Sequence, residues 1–274
     1  MTYVEKRYRC GAVIEVVRYV PREYRKTLPK EERRKKTKEE IDKANAIQAK
    51  QKLVRKINAN FRPGDLFVTL TYPSDGRPSP EEAKKILKHF INKLRRLYRK
   101  AGAELKYIIV TEFENKAIHH HLIANNIRGE NGSGSELISQ CWKHSEGKGA
   151  VRFESLYDDG DYEKLAEYLL KETEKTVKKK ETAQRYTCSR NLINPKPEKI
   201  TRKIKAARWN PVPVPKKGYH IKEDSVYLGS DTFGFDYMHY YMVKDKPTDA
   251  DWENIKPERI RKRRRKKKKK TGGG

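Results

Sequence analysis

The chain has 274 residues, enough for a sizeable core, but only 35% are hydrophobic and 37% are charged, which predicts one compact domain with polar extensions. Sixty-five Lys and Arg against 37 Asp and Glu give a formal charge of +28, so the expected partner is a polyanion. No apolar run approaches the about 20 residues that span a bilayer, which favours nucleic acid over a membrane.

The three cysteines, Cys10, Cys141 and Cys188, lie far apart and form no CxxC pair. Neither a disulfide framework nor a zinc ribbon is indicated, and the expected setting is the reduced interior of a cell.

In chain order, residues 7–20 (RYRCGAVIEVVRYV) alternate as one or two strands, and residues 24–36 form a polar, basic stretch read as loop. The capping-box pattern TKEE at 37–40 opens a helix over 38–58, with Ile41, Ala44, Ile47, Val54 and Ile57 at helical spacing. FVTLTY (67–72), ended by Pro73, is β-branched and aromatic, hence a buried strand. SPEE (79–82) supplies an N-cap, an N1 proline and an N3 acid to a helix whose stripe includes Ala83, Ile86, Phe90, Leu94 and Tyr98.

Strands over 105–113 and 118–125 follow, joined near Asn115 and Lys116. A helix over 135–143, a strand over 149–155 and a helix over 161–176 come next. The order βαββαβ plus a tyrosine-bearing helix predicts an α+β fold. Its centre is a ferredoxin-like or RNA-recognition-like antiparallel sheet, with helices on one face and β-rich N- and C-terminal extensions. Past residue 180, Pro195, Pro197, Pro211, Pro213 and Pro215 read as an extended connector, and the aromatics of 219–241 as one or two hairpins. Residues 261–270 are all basic, repel one another and have nothing to bury, so the chain is expected to end in a disordered tail. The divisions expected are 1–60, an N-terminal extension packing on the core; 61–180, the core; 181–250, connector and hairpins; and 251–274, the tail.

Two features carry chemistry. In IHHHLI (118–123), His119 and His121 point to one side of a strand and His120 to the other, where it reads as structural. If the strands form a hairpin, Glu112 or Glu114 lies across from the histidine pair. Two imidazoles and a carboxylate suit a divalent ion that polarises a phosphate. Further on, Tyr168 and Lys171 share a helix face, so an ammonium lies near a phenol that is a poor nucleophile at neutral pH, with a pKa of about 10. Tyr162 is the competing nucleophile but lacks a lysine three residues on. Taken singly, an HxH pair is more often a polar strand face, and a helix tyrosine more often a packing residue.

Together these pieces resemble the HUH endonucleases, in particular single-tyrosine rolling-circle replication initiators (Rep) of phages, plasmids and integrated elements. FVTLTY resembles the family's first motif, Glu112 to HHHL its metal motif, and YLLK (168–171) its YxxK motif, in the family's order. NANFRPGDLFVTLTYP (58–73) and RYTCSRNLINP (185–195) are also similar to stretches of phage and element replication proteins. The resemblance implies His119, His121 and Glu112, with Glu114 in reserve, as ligands of Mn²⁺ or Mg²⁺. It implies Tyr168 as nucleophile toward a single-stranded DNA phosphate at a replication origin, assisted by Lys171. The product would be a 5′-phosphotyrosine and a free 3′-OH.

A separate host helicase is expected as a partner, because no GxxxxGK[ST] occurs. The expected place is the cytoplasm of a bacterial host, or the nucleus if the host is eukaryotic. The tail adds sequence-independent affinity, and without residues 261–270 the formal charge is still +18. A related single-tyrosine transposase or relaxase shares the chemistry. A non-catalytic nucleic-acid-binding protein with an RNA-recognition-like sheet is the reading from another class.

Overall fold

The computed structural model describes residues 2–21, 37–112, 117–127, 133–144, 149–178, 186–203, 210, 212–230 and 235–257. The basic stretch 24–36, Glu114, the turn near Asn115 and the basic run 261–270 lie outside the described residues.

The expected core sheet is present. Strand β3 (Leu66–Thr71), helix α2 (Pro80–Lys100), strands β4 (Tyr107–Glu112) and β5 (His119–Ala124), helix α3 (Gly134–His144) and strand β6 (Val151–Ser155) follow the order βαββαβ. The strands lie in the order β6-β3-β5-β4, each pair antiparallel, and β7 (Thr187–Cys188) adds a short edge beside β4. This is the α+β arrangement that the element order predicts.

α2 starts as its sequence dictates: Ser79 accepts from the Glu82 amide, and Glu82 returns the bond to the Ser79 amide. Its buried stripe, from Ala83 through Phe90 and Leu94 to Tyr98, packs with α3's Ile138 and Trp142. They cover the sheet face formed by Val68, Leu70, Ile109 and Leu122.

The opposite face is covered too. Helices α1 (Lys38–Asn60) and α4 (Glu163–Lys178) set Leu53, Ile57, Leu165 and Leu169 against Ile108, Val110 and Ile123. Tyr241 and Val243 of a second sheet join the same cluster. That sheet has six strands: β10-β11-β2-β1-β8, with β9 also on β11. It joins β1 (Thr2–Cys10) and β2 (Val13–Tyr19) to β8 (Glu198–Lys203), β9 (Tyr219–Ile221), β10 (Tyr227–Ser230) and β11 (Asp236–Lys244). The β1–β2 turn needs a left-handed residue, Gly11 at φ 63°, and a Cβ there would collide with Trp252 and with the Asn58 carbonyl.

Three expectations change. β8 forms within the region read as connector, because it pairs along β1 from Thr2↔Lys203 to Arg7↔Glu198. Residues 250–253 form a short helix, α5 (Ala250–Glu253), where the tail was expected to begin; Trp252 donates to the Asn58 carbonyl at 2.8 Å. Only the second half of α1 is buried, and Ile41 and Ile47 are exposed despite their helical spacing. No helix among the described residues is long and apolar enough to cross a membrane.

Candidate metal centre and its tyrosine

The site forms where β4 and β5 run side by side. Their register sets Glu112 across from His119 and Val110 across from His121, while β3 places Thr69 on the other side of His121. Strand alternation therefore brings Phe67, Thr69, Glu112, His119 and His121 to the face covered by α1 and α4. One ligand atom from each of Glu112, His119 and His121 lies within 4.8 Å of the others. Glu112 and His121 are buried and His119 is half-buried, so the group could hold a metal ion.

Both imidazoles are oriented from behind. His119 Nδ1 lies 3.1 Å from the Ala117 carbonyl, to which it can only donate, and this leaves Nε2 facing the Glu112 carboxylate at 2.8 Å. His121 Nδ1 lies 3.3 Å from Thr69 Oγ1, and its ring stacks on Phe67 at 5.6 Å with an 11° interplanar angle. In the tautomers that donate from Nδ1, both Nε2 atoms present lone pairs toward the carboxylate. That fits a divalent ion, because a mixed N/O set suits such ions and a hydrogen bond at the remote nitrogen orients a ligating imidazole.

His120 takes the opposite direction, as alternation requires. It is fully buried between the Thr111 hydroxyl, 2.8 Å from Nδ1, and the Tyr72 hydroxyl, 2.8 Å from Nε2. Burial, with His119 and His121 alongside, pushes its pKa down to about 3 and keeps it neutral. Burial also pushes the Tyr72 phenol up, so Tyr72 donates to Nε2 and the imidazole donates from Nδ1 to Thr111.

α4 reaches the site edge-on. Tyr162, Leu165, Ala166 and Leu169 form its buried stripe, and Tyr168 lies beside that stripe, 41% exposed. The Tyr168 hydroxyl is 3.1 Å from His121 Nε2, and the two rings are 5.2 Å apart at 75°. Lys171 is exposed on the next turn of α4. A cleft of about 490 Å³ opens beside Tyr168 between β6 and α4, and His121, Phe67 and Tyr157 also line it. Tyr162, the competing tyrosine, is fully buried and its hydroxyl donates to the Tyr157 carbonyl at 3.3 Å.

The structure thus gathers Glu112, His119, His121 and Tyr168 in one place. Thr69, Phe67 and the Ala117 carbonyl were not singled out from sequence. The alternation of FVTLTY was the available signal for the first two, since it puts Phe67 and Thr69 on one face.

Fold and site together define a two-sheet α+β protein with a candidate metal centre flanked by a tyrosine. Residues 65–177 match the family model of the replication-associated protein ORF2, a span that runs from the strand of Thr69 to the helix of Tyr168 and Lys171. The match supports a replication initiator of the Rep type and a role in replication initiation. No curated protein and no solved structure matches the chain.

Proposed function

We propose that this protein is a metal-dependent, single-tyrosine HUH endonuclease that nicks and rejoins single-stranded DNA at an origin to start rolling-circle replication. The observation that carries the reading is the Tyr168 hydroxyl 3.1 Å from His121 Nε2, at the rim of the Glu112, His119 and His121 group. The charge of +28 and the similarity of residues 65–177 to replication-associated proteins supply the substrate class.

A divalent ion such as Mn²⁺ or Mg²⁺ held by Glu112, His119 and His121 would supply Lewis-acid polarisation of the scissile phosphate. The chain's own residues do the rest. Packing of Leu165 and Leu169 fixes α4, so the Tyr168 oxygen is held over the centre rather than searching for it. In the nicking step the bond from Tyr168 Oη to phosphorus forms and the bond from phosphorus to the 3′ oxygen breaks. The phenolic proton leaves to solvent and the 3′ oxygen takes one up. The ammonium of Lys171 favours the charge that develops on the phenol and the phosphate. Attack of a 3′-OH on the phosphotyrosine reverses these bonds and rejoins a strand without ATP.

A carboxylate facing a phosphate repels it unless a cation intervenes, so Glu112 has a role in this reading and none in a plain binder. A base-stacking sheet also needs an open face. Here α2 and α3 cover one face of the core sheet, and α1 and α4 cover the other.

The test is incubation with labelled single-stranded origin DNA in Mn²⁺ or EDTA, followed by a denaturing protein gel. The expected result is a Mn²⁺-dependent protein–DNA adduct that disappears in Tyr168→Phe. An adduct that survives in Tyr168→Phe would move the nucleophile elsewhere. Tight, salt-sensitive binding with no adduct on a validated origin would favour the non-catalytic binder.

A further inference from the structure

The stretch RYTCSRNLINP has no part in the chemistry above, yet it builds a second concave surface. Its Thr187 and Cys188 form the edge strand β7 on β4. Beyond them the backbone is pinned on both sides of Arg190. Ser189 exchanges two bonds with the Tyr107 backbone, its amide donating to the carbonyl and its Oγ accepting from the amide, each at 3.0 Å. Asn191 Nδ2 donates to the Leu105 carbonyl at 3.2 Å and to Glu104 Oε2 at 3.3 Å. Ile193 is tied at both backbone atoms to the buried Asn60 side chain of α1. The Arg190 side chain therefore leaves the edge of the sheet from a fixed point.

Opposite it stand Arg95 and Arg99, one turn apart near the C-terminus of α2, and together they border an open groove of about 640 Å³. Arg95 is half-buried and held by Asn92 Oδ1 at 3.3 Å. Arg99 and Arg190 are exposed, and among the described residues neither forms an ion pair. Three guanidinium groups face a single acid, Glu104, which Asn191 occupies. Setting the helix C-terminus at about −0.5 leaves a local excess of about +1.5.

We propose that this groove binds the phosphate backbone of an arm of DNA flanking the nicked segment. Guanidinium forks match phosphate oxygens, and an open groove with cations on two walls suits consecutive phosphates better than one enclosed anion. Tyr107 lies at the far end of β4 from Glu112, about 17 Å at 3.4 Å per residue. The groove also opens on the α2 side of the sheet, whereas Tyr168 stands on the other face. A DNA that touches both must turn round the β7 edge and extend about five nucleotides at 3.4 Å each. This assignment rests on the reading of the protein as an origin-nicking enzyme, but binding can be measured without nicking.

The experiment compares two labelled DNAs on the full chain: a short single strand spanning only the cut site, and the same strand with a duplex arm of about ten base pairs. The arm should raise affinity, and in Arg99→Gln/Arg190→Gln the slope of log K against log salt for the armed DNA should fall by about 2. Adduct formation on the short strand should be unchanged. Arg96→Gln/Lys100→Gln, which removes two exposed charges from the same helix outside the groove, is the control and should leave the effect of the arm intact. An equal loss in the control, or no loss in the groove variant, would overturn the proposal. So would millimolar inorganic phosphate raising the melting temperature of the wild type but not of the groove variant, with affinity for the armed DNA unaltered; the ligand would then be a small anion. Absence of any adduct with wild-type protein would count against the nicking reading alone.

Discussion

His120 sits between two candidate metal ligands, yet its surroundings predict a purely structural role, and His120→Ala tests that division. The substitution removes a fully buried ring that lies 5.6 Å from Tyr72 and 5.9 Å from Trp142. It also strands the hydroxyls of Thr111 and Tyr72, each now 2.8 Å from a ring nitrogen. Lost packing contributes about 2–3 kcal/mol, at the lower end of large-to-Ala changes because the ring is small. Each stranded hydroxyl adds about 1 kcal/mol, the low value applying because Tyr72 is half-buried and water can reach it. The expected loss is about 4 kcal/mol, read by urea unfolding with an unchanged m value, and a fall in melting temperature of roughly 8–16 °C. His119→Ala should behave in the opposite way. Its half-buried ring and one carboxylate contact predict a loss of about 1 kcal/mol in metal-free buffer. A His120→Ala protein that melts within about 2 °C of wild type would refute the reasoning, as would loss of Mn²⁺ response in His120→Ala with retention in His119→Ala.

Other consequences follow from the same geometry. Mn²⁺ at about 100 times its dissociation constant should stabilise the wild type by about 2.7 kcal/mol, and His119→Ala, His121→Ala and Glu112→Ala should each reduce that shift in a thermal melt; equal shifts in all four proteins would exclude the cluster as the site. Tyr162→Phe should leave the DNA adduct unchanged and cost about 0.5–1.5 kcal/mol through its lost bond to the Tyr157 carbonyl, whereas loss of the adduct would reopen the choice of nucleophile. Glu15 is 1% exposed between Arg55, which also stacks on Tyr8, and His239 Nε2 at 3.0 Å. Burial alone would raise its pKa, but the bonds from Arg55 and His239 outweigh it and hold the carboxyl below its ordinary value. Its contribution to stability is therefore present above the ordinary carboxylate pKa and is lost as pH falls through the lower folded value. Urea midpoints measured downward from pH 6 should fall more steeply in wild type than in Glu15→Gln, and parallel curves would contradict this.

Much of the core was legible because it is written in local periodicity. The capping box and apolar stripe of α2, the alternation of β3 and the same-side placement of His119 and His121 depend on residues a few positions apart. The resemblance of Glu112, HHHL and YLLK to a known motif set then put the candidate ligands and the tyrosine in order along the chain.

What the tertiary structure alone decided are pairings between distant residues. Strands β8 and β11 complete a sheet with β1 and β2 from the other end of the chain, and their own residues carry little signal, since β8 reads EKITRK and is almost wholly exposed. Tyr162 and Tyr168 share one helix, and only the docking of α4 buries the first and brings the second to His121. Asn58 and Asn60 reveal their part when α1 meets Trp252, Tyr162 and Ile193. Local sequence specifies which face of an element is apolar; which partner covers that face depends on burial summed over the whole chain.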